Sequence, residues 1–189
     1  MNLAKLFAIA WLGWLASWAN ASELANALQT SNHVLLMRHA LAPGVGDPPH
    51  YRLNDCQTQR NLSAEGRQQA VRIGQWLKAQ GVQSAEVFSS VWCRCQETAR
   101  LLDLGAPTVE PALASFFDEM HQAPSRTQAL QTFIAERLRQ KRGKALILVT
   151  HHVNIHAFMG ENIGSGDMVL AKVDAAGKML SYTVIPRPN

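Results

Sequence analysis

The sequence predicts an α/β fold, a three-layer αβα sandwich with a mainly parallel sheet, helices on both faces and a C-terminal antiparallel edge hairpin. Three observations predict it. The runs Val34-Leu35-Leu36-Met37 and Ala145-Leu146-Ile147-Leu148-Val149 are continuously apolar, as strands buried on both faces are. Segments with helical spacing of apolar residues separate them. Met168 to Val173 and Met179 to Ile185 alternate around Ala175-Ala176-Gly177, as a hairpin does.

Taken in order, the chain opens with a weakly positive Met1-Asn2-Leu3-Ala4-Lys5, an apolar stretch from Leu6 to Trp18, and the small-x-small triplet Ala19-Asn20-Ala21. This pattern predicts a secretory signal peptide over 1–21, cut after Ala21. Its apolar part is short of the roughly 20 residues that span a bilayer. No cysteine near the cut invites lipoprotein processing. The expected mature chain, 22–189, is one domain's worth of sequence, with no stable membrane anchor and a periplasmic or secreted destination.

The first buried strand leads into a long loop, Leu41 to Gln59, rich in Pro, Gly and Asp. Ser63 then caps a helix whose apolar positions Ala70, Ile73 and Leu77 recur at helical spacing and whose end is marked by Gly81. A short strand ends at Ser89-Ser90, and a helix from Trp92 to about Leu104 comes next. Pro107 to Glu110 is the third strand. Ser125 with Gln128 forms a capping-box pattern for a helix through Leu130, Phe133, Ile134 and Leu138 to Gly143. The second long apolar strand ends at Thr150-His151 and leads into a helix carrying His152 and His156.

A net charge of +4 is mild and spread along the chain. There is neither a basic run nor aromatic interleaving, so no nucleic-acid partner is expected. The spare cations suit an anionic small molecule.

Chemistry gathers at strand ends, where open α/β sheets bind ligands. The first long strand delivers Arg38-His39. Arg94 falls in the first turn of the helix after Ser89-Ser90, where free backbone N–H groups and the helix dipole already favour an anion. The last core strand delivers His151. Read singly, each is an ordinary loop or capping residue; together they are two arginines and two histidines converging on one end of a sheet.

In this order the motifs Arg38-His39-Ala40, Leu62-Ser63-Ala64-Glu65-Gly66, Ser89-Ser90 with Arg94, and Thr150-His151 resemble those of the histidine phosphatase superfamily, the phosphoglycerate-mutase-like enzymes. The resemblance spans roughly residues 33–175, with Ala40 where the family has glycine. It implies a phosphatase that hydrolyses a phosphomonoester, or a phosphohistidine-like phosphate, through a covalent phosphohistidine on His39. Arg38, Arg94 and His151 would hold the phosphoryl oxygens. It implies no cofactor and no metal. A neutral imidazole is a fitting nucleophile because the dianion does not repel it. A guanidinium fork binds phosphate oxygens in pairs.

The family often places an acid after its third strand, where this chain has Ser115. Asp118 is the candidate proton donor, with Glu119 or no acid at all as the alternatives. The short phosphohistidine phosphatases of the superfamily work without that acid. Arg60, Arg52 and His152 are candidate substrate-binding residues. Chain length, secretion and the Arg-His-Ala variant are similar to the lipopolysaccharide core heptose-phosphate phosphatases, which would make the partner a cell-envelope glycan phosphate. The competing readings are a catalytically weak binding module for phosphorylated glycans and a phosphoglycerate-mutase-type phosphotransferase. Against the mutase, the sequence lacks the longer insertions with which such enzymes enclose a bisphosphate.

Three cysteines remain, an odd count in a compartment that tolerates disulfides. A bridge from Cys56 to Cys93 or Cys95 would pin the long loop beside Arg94, and we take Cys95 as its partner; three packed thiols are the alternative. The Cys-x-Cys pair has no second pair to complete a tetrahedral metal site. His152 and His156, four apart on one helix, lack a third ligand nearby.

Overall fold

A computed structural model describes residues 23–189; the predicted signal segment, 1–21, lies outside the described residues. Among the described residues six strands form one sheet: β1 (His33–Arg38), β2 (Ala85–Ser89), β3 (Thr108–Val109), β4 (Ala145–Thr150), β5 (Met168–Val173) and β6 (Met179–Ile185). Their order is β3-β2-β4-β1-β5-β6. The first four strands are parallel, and β5 and β6 add antiparallel at one edge as a hairpin. Its turn closes at Gly177, whose φ of 78° lies in the region open to glycine.

Among the described residues four helices of eight residues or more cover the sheet: α1 (Ala64–Ala79), α2 (Cys93–Leu101), α3 (Ala123–Gln140) and α4 (His152–Met159). Side chains alternate along the central strands. Leu35 and Met37 of β1, with Ile147 and Val149 of β4, pack against Ile73 and Leu77 of α1 and Ala99 and Leu102 at the end of α2. Val34, Leu36, Leu146 and Leu148 face the other way, onto Leu130, Ile134 and Leu138 of α3 and Ile155 and Phe158 of α4. The continuous apolar runs thus feed two cores at once. Each fully buried Leu or Ile contributes about 1.5–3 kcal/mol relative to exposure.

The register fixes where the site forms. Arg38 pairs with Thr150 across β1 and β4, and Ser89 pairs with Val149 across β2 and β4. Three strands therefore end side by side, at His39, Ser90 and His151. Ser63 caps α1 by accepting from Gly66 N at 3.0 Å. Gly66 is required there, since a Cβ would lie 2.0 Å from Leu41 O. That close approach anchors the start of the long loop just beyond His39.

Some boundaries differ from those the sequence predicts. Ser125 does not cap α3; its hydroxyl donates to Gln122 O, and the helix starts at Ala123. Pro124 explains the shift, because its fixed φ and missing N–H suit a first helical turn. Helix α2 starts one residue after Trp92, its N-cap, and ends at Leu101 rather than near Leu104. The strand expected over Pro107–Glu110 is only two residues long, exposed on the sheet edge. Among the described residues no helix is long and apolar enough to cross a membrane.

Candidate active site

At the C-terminal ends of β1, β2 and β4 lies a pocket of about 320 Å³. Arg38, His39, Arg60, Arg94, His151 and His152 line it, as does Asp118. Arg52 does not. It turns back onto Asp55 at 2.5 Å with its side chain exposed, so the local turn Arg52–Asp55 takes the charge expected for substrate.

His39 is 1% exposed. Its Nδ1 lies 2.8 Å from the Ala40 carbonyl oxygen. A carbonyl can only accept, so Nδ1 carries the proton and the lone pair of the neutral ring is on Nε2. Burial, aided by the nearby Arg94, Arg38 and Arg60 charges, lowers the His39 pKa to about 3, against the opposing pull of the Ala40 hydrogen bond. The backbone around it is tied down. His39 N donates to Thr150 O, and Ala40 N donates to Thr98 Oγ1, which itself donates to Arg94 O. Threonine on α2 thus fixes the strand end to the helix that carries Arg94.

His151 caps α4 and stands 5.5 Å from His39, ring centre to ring centre. Its Nε2 is 2.8 Å from Ser90 Oγ. Trp92 N donates to the same hydroxyl oxygen, at 3.5 Å. Burial, then the neighbouring His39 and Arg94, hold His151 well below the ordinary histidine pKa. A neutral imidazole still carries one ring N–H to offer a phosphoryl oxygen.

Three guanidinium groups crowd the pocket. Arg38 donates to Ile163 O at 2.9 Å, and Arg60 Nε donates to Gly46 O at 2.7 Å. Burial first, and then repulsion from Arg94, lower both from the usual arginine pKa. Buried Nε atoms of Arg38 and Arg94 have no partner among the described residues. Three cations around two neutral imidazoles make a site suited to an anion.

The cysteine pairing corrects the expectation from sequence. Cys56 is bonded to Cys93, and Cys95 is a buried free thiol. Residues two apart on a helix point about 200° apart, so only one of the pair can face the loop. Cys93 does; Cys95 faces the sheet, 3.5 Å from His151 Nε2, with its thiol pushed up to about 12 by burial. The bridge closes a separation of 37 residues. Cys56→Ser is expected to lower unfolding stability by roughly 3–4 kcal/mol. Denaturant unfolding of the oxidised wild type and the variant measures it, and equal midpoints would show that the bridge constrains nothing.

Several site residues were not visible in the sequence. Asp47 is hydrogen-bonded to Arg94 and Trp92, and Gln59 accepts from Cys93 N at 3.0 Å. Ser90, of the Ser89-Ser90 motif, and Cys95 both contact His151, which the sequence did not indicate. Only the Gly46-Asp47-Pro48 turn signal hinted at Asp47, and it reads as a surface turn. Among the described residues no three His, Cys, Asp or Glu side chains gather to hold a metal ion.

The sequence model of the histidine phosphatase superfamily (branch 1) matches residues 34–128, half of the chain. The chain belongs to the histidine phosphatase superfamily. Solved structures share its fold. The protein histidine phosphatase SixA, in complex with tungstate, aligns with a TM-score of 0.51 at 20% identity, covering 82% of this chain and 97% of that one. A mycobacterial glucosyl-3-phosphoglycerate phosphatase aligns with a TM-score of 0.61 at 14% identity, covering 84% and 99%. Phosphoserine phosphatase from Entamoeba histolytica, in complex with 3-phosphoglyceric acid, gives 0.57 at 13% identity, covering 79% and 95%. No curated protein sequence matches the chain. Within the superfamily fold, Arg38, His39, Arg94 and His151 of this chain meet in one pocket.

Proposed function

We propose that the protein is a phosphatase that hydrolyses small phosphomonoesters through a covalent phosphohistidine on His39. One observation carries the reading: the Ala40 carbonyl accepts a hydrogen bond from Nδ1–H, which leaves the lone pair on Nε2 in a pocket lined by three arginines. Membership in the superfamily and the phosphatases among the structural neighbours support it.

In the first step Nε2 attacks phosphorus in line, forming the P–N bond as the P–O bond to the leaving group breaks. Arg38, Arg60 and Arg94 match the charge on the equatorial oxygens, and His151 adds a ring N–H. The Nδ1–H bond to Ala40 O stabilises the positive charge that the imidazole gains. In the second step water attacks phosphorus and gives a proton to the Asp118 carboxylate left by the first step, the P–N bond breaks, inorganic phosphate leaves and neutral His39 returns.

The leaving oxygen needs a proton, and Asp118 is our choice of donor. It lines the pocket and makes no hydrogen bond among the described residues, whereas Asp47 is committed to Arg94 and Glu119 lines only the neighbouring groove. Asp118→Asn is expected to slow alkyl phosphates about 10²-fold or more and aryl phosphates far less. A leaving-group series on both proteins reads this. Equal loss, or none, across the series would remove Asp118 from the chemistry.

The predicted signal and the Cys56–Cys93 bridge together support a periplasmic or secreted enzyme, within reach of envelope glycan phosphates. The test of the whole reading is incubation of the chain, without added metal, with p-nitrophenyl phosphate, and then an alkaline quench. Turnover with an alkali-stable, acid-labile phosphoenzyme is expected. Folded protein that binds inorganic phosphate without turnover would favour the binding-module reading instead.

A further inference from the structure

The Asp47 carboxylate sits inside the phosphate pocket, a place where a negative charge opposes the proposed ligand. It is as buried as its partner, with 5% of its side chain exposed against 4% for Arg94. All its neighbours are donors. Arg94 Nη1 donates to Oδ1 at 2.9 Å and to Oδ2 at 3.1 Å, Trp92 Nε1 donates to Oδ2 at 3.1 Å, and Arg60 N donates to Oδ1 at 2.9 Å.

Arg60 completes a ring around this carboxylate. Its own carbonyl accepts from Arg94 Nη1 at 3.3 Å, and its guanidinium is held by the carbonyls of Gly46 and Ala42. The Nη1 edge of Arg94 is therefore fully occupied by protein. Arg94 Nη2 makes no hydrogen bond among the described residues, and Nε is buried without one.

Resting on the phosphatase reading above, we propose that Asp47 is a positioning residue: it grips Arg94 by the Nη1 edge so that the opposite edge meets the phosphoryl group. Its charge also offsets one of three clustered guanidinium groups, which weakens the hold on ground-state phosphate more than on the transition state. Interactions that tighten only in the transition state raise turnover, whereas excess charge binds substrate and product alike. Carboxylate is the group this role needs, because it only accepts and every neighbour only donates. An amide would turn its NH₂ toward Arg94 or Trp92.

The test compares wild type with Asp47→Asn by kcat on p-nitrophenyl phosphate and by calorimetric titration with inorganic phosphate. Expected are a kcat at least about tenfold lower, since a misplaced group of this kind costs up to about 10²-fold, and phosphate binding tighter by about three- to tenfold. Wild-type kcat and wild-type phosphate affinity in the variant would overturn the proposal. So would kcat and affinity falling together, the mark of a residue that only supports the pocket.

Should Asp47→Asn fail to fold, Trp92→Phe removes one of the donors and leaves both charges. A kcat lowered several-fold with phosphate affinity retained supports the role, and an unchanged kcat overturns it. A wild-type protein with neither turnover nor phosphate binding rejects the phosphatase reading itself. That outcome is distinct from an active wild type matched by its Asp47 variant.

Discussion

His39→Ala is expected to lower kcat by about 10⁴-fold or more, the scale seen when a covalent nucleophile is removed. The substitution deletes the atom that forms the P–N bond, and no neighbour can replace it. His151 stands 5.5 Å away with its Nε2 engaged by Ser90 and Cys95. Alanine also leaves the buried Ala40 carbonyl without its donor, at a stability cost of about 1–3 kcal/mol. His39→Asn separates the two effects, because its amide can still donate toward Ala40 O while offering no nucleophile. Both variants should lack the alkali-stable phosphoenzyme, and Asn should keep more of the stability. A phosphoenzyme formed on His39→Asn would move the nucleophile elsewhere.

The pH dependence belongs to the same argument. With the His39 pKa lowered to about 3 by burial and the surrounding arginines, acidification to about pH 4 leaves the free enzyme's nucleophile unprotonated. An acid limb in kcat/KM near pH 6 would then report the substrate's own second ionisation, near that value for a phosphomonoester. Replacing the substrate by one with a lower second pKa should move that limb by the same amount. A limb that stays put would assign it to the protein.

Residues whose position depends on strand burial were legible in the sequence. Leu35 to Met37 and Ile147 to Val149 are apolar on both faces, so the strands had to be central, and the C-terminal end of a central parallel strand is where ligands bind. His39, Arg94 and His151 are each within a few residues of such an end. Asp47 was hidden for the opposite reason. Its meaning depends on Arg94 and Trp92, far along the chain, and a loop's path across that distance leaves no periodicity to read.

The cysteines show the same limit more sharply. Helical geometry states that Cys93 and Cys95 face different ways, yet which of them meets Cys56 depends on the rotation of α2 about its own axis. Packing sets that rotation, through Ala99 and Leu102 against the sheet and Thr98 against the Ala40 amide. Arg52 lies outside the pocket lining for a local reason, since Asp55 three residues on takes up its guanidinium.

Arg94→Lys is the second large effect expected, a loss of about 2.7–4 kcal/mol of transition-state stabilisation, or about 10²–10³ in kcat. The charge survives this change and the shape does not. Arginine serves Asp47 and Arg60 O with one edge of a rigid plane, which leaves the other edge for phosphoryl oxygens. A lysine ammonium is one point with three donors at the end of a flexible stem, and Asp47 is the acceptor it would meet first. It would satisfy the carboxylate and withdraw from the substrate. Arginine also lies 5.8 Å from the centre of the Trp92 ring, a contact the thinner side chain would not reproduce. Lysine is a better test than alanine here, because alanine would strand a buried carboxylate at about 3–5 kcal/mol and confuse folding with catalysis. The measurement is kcat beside thermal unfolding. A variant within about threefold of wild type would show that a point charge is enough in this pocket, and the geometry argued for Arg94 and Asp47 would lose its purpose.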